Sequence, residues 1–337
     1  MVRADLHIEE LRWEAMRRLQ EAVPFDGWCW SSVDPLYLVP IRSVAWHSAV
    51  ASSQQRLWEI EYMEEPELFT LTQLATAPQR VNSLREATGG DPARSRRWCE
   101  LMRPCGVADE LRAALVTGGH CWGSLALYRE RSSGWFDKQD RESIAGLAPL
   151  LAKHSQGAFR SVSPPSMDRE RTGGVVVLDA NLRPLTRDGQ GAHWLSHLPG
   201  RLVPPSQPLP ALIYALVARL RAGLAARART WTTDGRWALV EASRLEGPAS
   251  AGTFAITIQC LPPHEAADLR MRVAGLSRRE RELASLVLRG SSTAEIGTTL
   301  RISRHTVRDH LKAIFEKLGV RSRGQLTARL LGVDGAA

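Results

Sequence analysis

The sequence carries one set of side chains whose types and spacing suit the recognition of nucleic acid bases. Arg304, Arg308 and Lys312 follow one another at intervals of four residues, and His305 and Asp309 lie beside them. Because residues four apart lie on the same face of an α-helix, they predict one helix edge with several hydrogen-bond donors and one carboxylate acceptor. Such groups pair with base edges in the major groove of DNA. We therefore interpret this edge as a base-reading surface.

Helix-start signals place this edge on the third of four short helices. Ser277 and Glu280 form a capping box before the first helix, and Ser303 caps the third. Arg301 and Ile302 leave room only for a tight turn between the second and third helices. Apolar residues three or four apart give the third helix its buried edge: Val307, Leu311, Ile314 and Leu318. The pattern predicts a helix-turn-helix.

A second group of residues suits phosphate. Arg321, Ser322 and Arg323 stand at the start of the predicted fourth helix, just after Gly319 ends the third. Free backbone N–H groups at a helix start and guanidinium groups can both hold phosphate oxygens. The sequence therefore predicts phosphate contacts next to the base-reading edge.

The net charge of the chain is concentrated in the same segment. The 337 residues include 44 Lys and Arg and 36 Asp and Glu, a formal charge of +8. Residues 271–331 hold 13 of these bases and 5 of these acids, so the rest of the chain has 31 of each and is neutral. A neutral body with one basic end localises the site that binds a polyanion.

The ordered strings RRE, GSSTAEI and LRISRHTVRDHLKAIFEKLGVRSR resemble the LuxR-type DNA-binding domain of bacterial transcriptional regulators, also called the FixJ or GerE type. Caps, apolar positions and turn lengths match together, over about the last sixth of the chain. The resemblance implies an all-α four-helix domain at 276–337 in which the helix at 303–318 binds duplex DNA.

The resemblance also implies roles for single residues. Base-edge contacts are expected from Arg308, Asp309 and Lys312, with Arg304 and His305 on the same edge. Contacts with backbone phosphates are expected from Ser303, Thr306, Lys317, Arg321 and Arg323. Asp309 could accept a hydrogen bond from a cytosine amino group or could orient Arg308, and both alternatives stay open.

Residues 1–160 show the pattern of a mixed α/β domain. Helical spacing at 8–23 is followed by GWCWSSVDP, which alternates like a strand, and by two strands that flank a hairpin at 117–120. The closing helix, at 138–158, has a predicted buried edge of Ile144, Leu147, Leu150 and Leu151. This order, with the hairpin LRAALVTGGHCWGSLALYRE, resembles a GAF domain, which implies a small pocket on one face of the sheet.

Tryptophans are concentrated in this first domain: Trp28, Trp30, Trp46, Trp58, Trp98 and Trp122. Large flat side chains can line a pocket for an aromatic or hydrophobic effector, or they can be plain core. Trp28, Trp30 and Trp122 are our pocket candidates, and Cys121 is the first cysteine to test for a chromophore attachment. The identity of any cofactor does not follow from the sequence.

A second mixed domain is predicted at 173–261, between linkers at 161–172 and 262–275. The first linker is polar and contains prolines, and the second could form a helix after His264. The string GGVVVLDANLRPLTRDGQGAHWL resembles the opening of a PAS domain, in which a strand pair leads into small helices and three further strands. The predicted fold class is therefore multidomain α+β, with GAF-like and PAS-like sensory domains followed by the all-α LuxR-type helix-turn-helix domain.

Other classes of function lack their signatures in the sequence. No apolar stretch approaches the roughly 18 residues of a membrane span, and the start has no apolar signal region, so we expect a cytoplasmic protein. The five cysteines are scattered and never form a CxxC pair, so no metal site or disulfide framework is expected. Motifs such as GxxxxGK[ST], GxSxG and HExxH are absent, so we do not expect an enzyme.

Two hypotheses from different classes remain. The first is a regulator that binds double-stranded DNA as a homodimer, and whose N-terminal domains sense a small-molecule effector or mediate assembly. The second is an interaction protein whose C-terminal helices bind a protein partner such as RNA polymerase. Salt discriminates between them, because phosphate contacts weaken steeply as salt rises, whereas a mainly apolar interface hardly responds.

Overall fold

The structure is a computed structural model that describes residues 2–47, 53–63, 67–161, 173–200, 209–247 and 252–332. The described residues up to Cys260 form one compact unit, and those from Leu261 onward form another. The predicted linker at 161–172 lies outside the described residues from position 162 onward. Within the described ranges, no helix has the length and apolar character needed to cross a membrane.

The N-terminal unit begins with a five-stranded antiparallel sheet of order β2-β1-β5-β4-β3. Its elements are α1 (Val2–Ala22), β1 (Gly27–Asp34), β2 (Val39–Trp46), α2 (Gln54–Met63), α3 (Leu71–Thr76), β3 (Val81–Ser83), α4 (Leu84–Ala87), β4 (Val107–Thr117), β5 (His120–Glu130) and α5 (Lys138–Ser161). Gly118 and Gly119 both have positive φ, 59° and 74°, in the turn between β4 and β5. Two such residues in a two-residue loop suit a tight hairpin, so the predicted hairpin is confirmed.

One face of this sheet packs against α1 and α5. Trp28 and Trp30 are two residues apart in β1, so both point to this face and are buried there with Met16 of α1. The predicted buried edge of α5 is wrong at Leu147 and Leu150, which are 38% and 64% exposed. The buried stripe instead repeats at spacing four through Ile144, Ala148 and Ala152. The two alanines are small and let the helix lie close to the sheet.

A second antiparallel sheet, of order β7-β6-β10-β9-β8, completes the N-terminal unit. Its elements are β6 (Gly174–Leu178), β7 (Pro184–Arg187), α6 (Gly189–His197), α7 (Ala211–Arg221), β8 (Arg227–Trp231), β9 (Trp237–Arg244) and β10 (Phe254–Cys260). When the strands of each sheet are numbered separately, both sheets have the order 2-1-5-4-3. The predicted strand pair, small helices and three further strands are all present.

The two sheets pack on each other within this unit. Phe159 of α5 lies with its ring 5.2 Å from both Trp122 of β5 and Trp231 of β8. Asp34, at the end of β1, pairs with Arg229 of β8, and both side chains are fully buried. Aromatic and ionic contacts between distant parts of the chain therefore join the two sheets.

The C-terminal unit contains five helices: α8 (Pro263–Val273), α9 (Arg278–Leu288), α10 (Thr293–Leu300), α11 (Arg304–Leu318) and α12 (Arg323–Leu331). The four predicted helices of the helix-turn-helix domain are present as α9 to α12. The segment at 262–275, which we predicted as a linker, forms α8. Ala267 and Met271, four residues apart, are buried in the same core as Leu283 and Ile314. This apolar pair, one helical turn apart, makes α8 part of the packed unit.

Candidate nucleic-acid interface

Hydrogen bonds from capping residues fix where the helices begin. The Ser277 hydroxyl accepts from the backbone N–H of Glu280 at 3.3 Å, and the Ser277 N–H donates to the Glu280 carboxylate at 2.6 Å. Ser303 accepts from the backbone N–H of Thr306 at 3.0 Å. These contacts pair N–H groups that have no partner inside their own helix. The position of α11 therefore follows from local sequence.

The turn between α10 and α11 is tight because one glycine and one left-handed residue permit it. Arg301 ends α10 with a φ of 53°. The N–H of Ile302 then donates to the carbonyl oxygen of Gly297 at 2.9 Å. A Cβ atom at Gly297 would lie only 2.9 Å from the carbonyl oxygen of Ile302. A larger residue there would push the two helices apart.

One edge of α11 is buried and another is exposed. The buried edge is the predicted one: Val307, Leu311, Ile314 and Leu318. All five predicted base-reading residues are exposed: Arg304, His305, Arg308, Asp309 and Lys312. The imidazole of His305 lies 3.9 Å from the carboxylate of Asp309 on the next turn. The exposed edge thus combines three cations, one imidazole and one carboxylate.

The predicted phosphate-contacting residues differ in their protein contacts. Ser303 and Arg321 are exposed, and Thr306 is half-buried. The Lys317 ammonium donates to both carboxylate oxygens of Glu280, at 2.8 and 2.7 Å. The Lys317 side chain is 39% exposed even with this ion pair formed.

Arg323, like Lys317, also makes contacts within the protein. Its guanidinium donates to the carbonyl oxygen of Ser291 at 2.9 Å and to the hydroxyl of Thr293 at 2.8 Å. These bonds tie the start of α12 to the start of α10. Sequence reasoning missed this tie, because the partners lie 32 and 30 residues away.

A shallow groove of about 560 Å³ runs beside the exposed edge of α11. Arg308 and Lys312 border it on the helix, and Arg321 borders it from the following loop, with Phe315 and Val320 also in its lining. The structure therefore brings predicted base-contacting and phosphate-contacting residues to one surface.

Sequence reasoning did not include Arg301 among the site residues. Arg301 is exposed in the turn, where it borders a hollow of about 360 Å³ together with Ser303 and Arg304. A cation in the turn directly before a recognition helix is the sequence signal that could have identified it. We add Arg301 to the candidate phosphate contacts.

The pocket candidates of the N-terminal unit do not line one cavity. Trp28 and Trp30 belong to the core between the sheet and α1, whereas Cys121 is buried in a different cluster with Val33. Trp122 is fully buried against Phe159. Burial raises the pKa of the Cys121 thiol to about 12, so it stays protonated and poorly nucleophilic at neutral pH.

A cleft of about 460 Å³ does open beside α1. Trp13 is 44% exposed there, and its ring meets that of Trp28 edge-on at 4.9 Å. Trp46, Glu10 and Glu14 also line the cleft. Of the predicted pocket residues, only Trp28 lines this cleft.

The Glu280–Lys317 ion pair gives the C-terminal unit a pH-dependent stability. Burial alone would raise the pKa of Glu280, but hydrogen bonds from Lys317 and Ser277 outweigh it and hold this pKa below its usual value of 4.5. Because the folded pKa is lowered, the stabilisation is present above the unfolded pKa and is lost as pH falls through the folded pKa. We expect the free energy of unfolding to decrease below about pH 5.

A Glu280→Gln variant tests this expectation. Glutamine keeps a capping-box partner for Ser277 but cannot form the ion pair. We therefore expect the free energy of unfolding to fall by about 1 kcal/mol at pH 7 and to depend less on pH below about pH 5. Helical circular dichroism reports both units, while fluorescence reports only the N-terminal unit, since all 11 tryptophans lie between Trp13 and Trp237. A loss of helical signal without a change in fluorescence therefore reports unfolding of the C-terminal unit. If the free energy of unfolding of the variant depends on pH as it does in the wild type, then other carboxylates control this pH dependence.

The capped helices, the tight turn and the exposed basic edge together define a helix-turn-helix domain of the DNA-binding class. Residues 274–330 match the family model described as bacterial regulatory proteins, luxR family. The spore germination protein GerE of Bacillus subtilis is 43% identical over 56 residues, which are 17% of this chain and 76% of GerE. The chain belongs to the luxR family of bacterial regulatory proteins.

Other comparisons cover different shares of the chain. The probable HTH-type transcriptional regulator GfsR of Streptomyces halstedii is 45% identical over 60 residues, so the match spans 18% of this chain and a quarter (25%) of GfsR. The crystal structure of SdiA from Escherichia coli aligns with 97% of this chain and 91% of its own, at a TM-score of 0.31 and 12% identity.

Proposed function

We propose that the chain is a transcriptional regulator that binds duplex DNA sequence-specifically as a homodimer, with α11 in the major groove. The exposed edge of α11 carries this proposal, because its guanidinium donors and its carboxylate acceptor are groups that pair with base edges in the major groove. The family of the C-terminal unit supports the same conclusion.

In this proposal the residues have two kinds of contact. Arg308, Asp309 and Lys312 contact base edges, with Arg304 and His305 on the same edge. Phosphate contacts come from Arg301, Ser303, Thr306, Lys317, Arg321 and Arg323. Lys317 has three N–H donors and Arg323 has five, so each keeps donors beyond those used within the protein.

The homodimer follows from the size of the reading surface. One recognition helix contacts only a few base pairs, so selectivity against a genome requires two copies on adjacent half-sites. We propose α12 as the pairing element, as the LuxR resemblance implies. Leu326 and Leu330 are buried within the unit, whereas Leu331 is 39% exposed and available to a second copy.

Salt dependence tests this proposal against the alternative of a protein partner such as RNA polymerase. Each phosphate neutralised by a Lys or Arg side chain contributes about −0.9 to the slope of log affinity against log salt, so the four cationic contacts in each of two subunits give a slope of about −7. Replacing Arg321 with alanine should reduce the slope by about 2 in the dimer. Fluorescence anisotropy with a labelled duplex measures both values, and affinity that does not change with salt would favour the protein partner.

We also propose that the two sheets are GAF-like and PAS-like sensory domains. The first sheet has the hairpin β4–β5 and the closing helix α5 of the GAF resemblance. The second follows the PAS order of a strand pair, small helices and three strands. These patterns support a sensing role in which the N-terminal unit controls when the C-terminal unit binds DNA.

The cleft beside α1 is our candidate site for a small-molecule effector. Trp13, Trp28 and Trp46 offer aromatic surface there, and the carboxylate of Glu14 is paired with Arg17, which also lines the cleft. Flat apolar or aromatic molecules fit this combination. Native mass spectrometry of the full chain should show a copurified compound that a Trp13→Ala variant loses, and a compound retained by that variant would place the effector elsewhere.

A further inference from the structure

Three side chains next to the second sheet lie close together, although two come from α6 and one from the turn between β8 and β9. His193 and His197 lie one turn apart on α6, with ring centroids 4.3 Å apart. Asp234 comes from the turn between β8 and β9. One ligand atom from each of the three residues lies within 4.8 Å of the others, and all three side chains are half-buried. Two imidazoles and one carboxylate are a ligand set that divalent transition metals prefer.

The hydrogen bonds of the histidines leave suitable lone pairs. Nδ1 of His197 lies 2.8 Å from the carbonyl oxygen of His193. Because a carbonyl oxygen only accepts, Nδ1 is the donor in this contact, and Nε2 is the nitrogen that remains to bind a metal ion. A second hydrogen bond of this kind orients most histidines that bind metals.

Nε2 of His193 faces a cationic side chain. This atom lies 3.2 Å from the guanidinium of Arg236, which can only donate. The lone pair of Nε2 therefore faces the same cation that also pairs with Asp234. A positive charge already lies next to two of the three ligands.

The carboxylate of Asp234 is fixed in place, because the hydroxyl of Thr232 and the guanidinium of Arg236 both donate hydrogen bonds to it. The backbone N–H of Thr233 donates to the carbonyl oxygen of His197 at 2.8 Å, which ties the β8–β9 turn to the end of α6. The two elements that supply the ligands are thus connected directly.

From this geometry we infer that His193, His197 and Asp234 form a binding site for a divalent first-row transition metal ion such as Zn²⁺. Ligands 2.0–2.1 Å from zinc in a tetrahedron lie about 3.4 Å apart, so small side-chain rotations bring the three atoms into range. Solvent or a small ligand completes the coordination. The guanidinium of Arg236 occupies the cationic position in the metal-free protein, and the metal ion displaces it.

The test uses the untagged full chain, titrated with Co²⁺ followed by optical absorption and with Zn²⁺ followed by calorimetry. We expect one ion per chain. Single variants His197→Ala and Asp234→Asn should weaken binding roughly ten-fold or more, as loss of a ligand removes one metal bond. His264→Ala is the control, because His264 is exposed on α8 and belongs to no such cluster among the described residues.

An Arg236→Gln variant tests the inference independently of the ligand variants. Removing the competing cation should tighten Zn²⁺ binding several-fold, whereas a site elsewhere would not respond. No binding to the wild-type chain would overturn the inference. Binding that persists unchanged in His197→Ala and Asp234→Asn, or that is lost equally in His264→Ala, would overturn it as well.

Discussion

Replacing Arg308 with alanine is expected to weaken binding to the cognate duplex by roughly 1 to 3 kcal/mol per subunit, and replacing Lys312 should have a similar effect. Both side chains lie exposed on α11 and border the same groove. An arginine that contacts guanine donates two hydrogen bonds at once, so its loss removes both affinity and base discrimination. Titrations on cognate and scrambled duplexes measure the two effects separately.

Two further variants distinguish base contacts from simple charge. Arg308→Lys keeps the positive charge but cannot form the fork, so it should lose discrimination while keeping non-specific affinity. Arg131→Ala removes one exposed arginine from the N-terminal unit and should leave DNA binding unchanged. Wild-type affinity and discrimination in Arg308→Ala would remove Arg308 from the base contacts.

The second large effect concerns stability, at the buried ion pair between the two sheets. The carboxylate of Asp34 accepts from the backbone N–H of Arg229 at 2.8 Å and from its guanidinium at 3.1 and 2.8 Å. Both side chains are 0% exposed. An Arg229→Met variant leaves the carboxylate buried without its counter-ion, so we expect the N-terminal unit to lose about 3 to 5 kcal/mol.

A double variant separates the ion pair from general damage to the core. In Asp34→Asn/Arg229→Met, no charge remains buried at this site, and the amide oxygen can still accept from the backbone N–H at position 229. The double variant should therefore be more stable than Arg229→Met alone. Urea unfolding followed by tryptophan fluorescence measures this difference, and strictly additive losses would contradict it.

Local signals explain why the C-terminal unit was predictable from sequence. Ser277, Ser303 and Gly319 act on residues within four positions of themselves, and the structure places each at the predicted helix end. The buried edge of α11 also follows from spacing alone. The four helices and the exposed edge could therefore be read directly from the chain.

Contacts between distant residues could not be read in this way. Asp34 and Arg229 are separated by 195 positions, and Lys317 and Glu280 by 37. The helical spacing of His193 and His197 is visible in the sequence, but the approach of Asp234 depends on how the β8–β9 turn packs against α6. Pairings of this kind require the folded sheet.

Periodicity also failed where small residues form the contact. The sequence favoured Leu147 and Leu150 as the buried edge of α5, yet the structure buries Ala148 and Ala152. Hydrophobicity scales rank leucine above alanine, but close packing of a helix on a sheet can favour the smaller side chain. The same limit applies to the tryptophans, whose alternation predicts a shared face but does not distinguish a core from a pocket.

The central claim is that the exposed edge of α11 reads a specific DNA sequence, and selection of the full chain against random duplexes at low ionic strength tests it most directly. We predict that repeated rounds enrich two related half-sites about one helical turn apart, and that Arg308→Ala abolishes or alters the enriched bases. If the wild-type chain enriches no sequence while still binding duplex DNA, then α11 contacts only the backbone and the account is wrong.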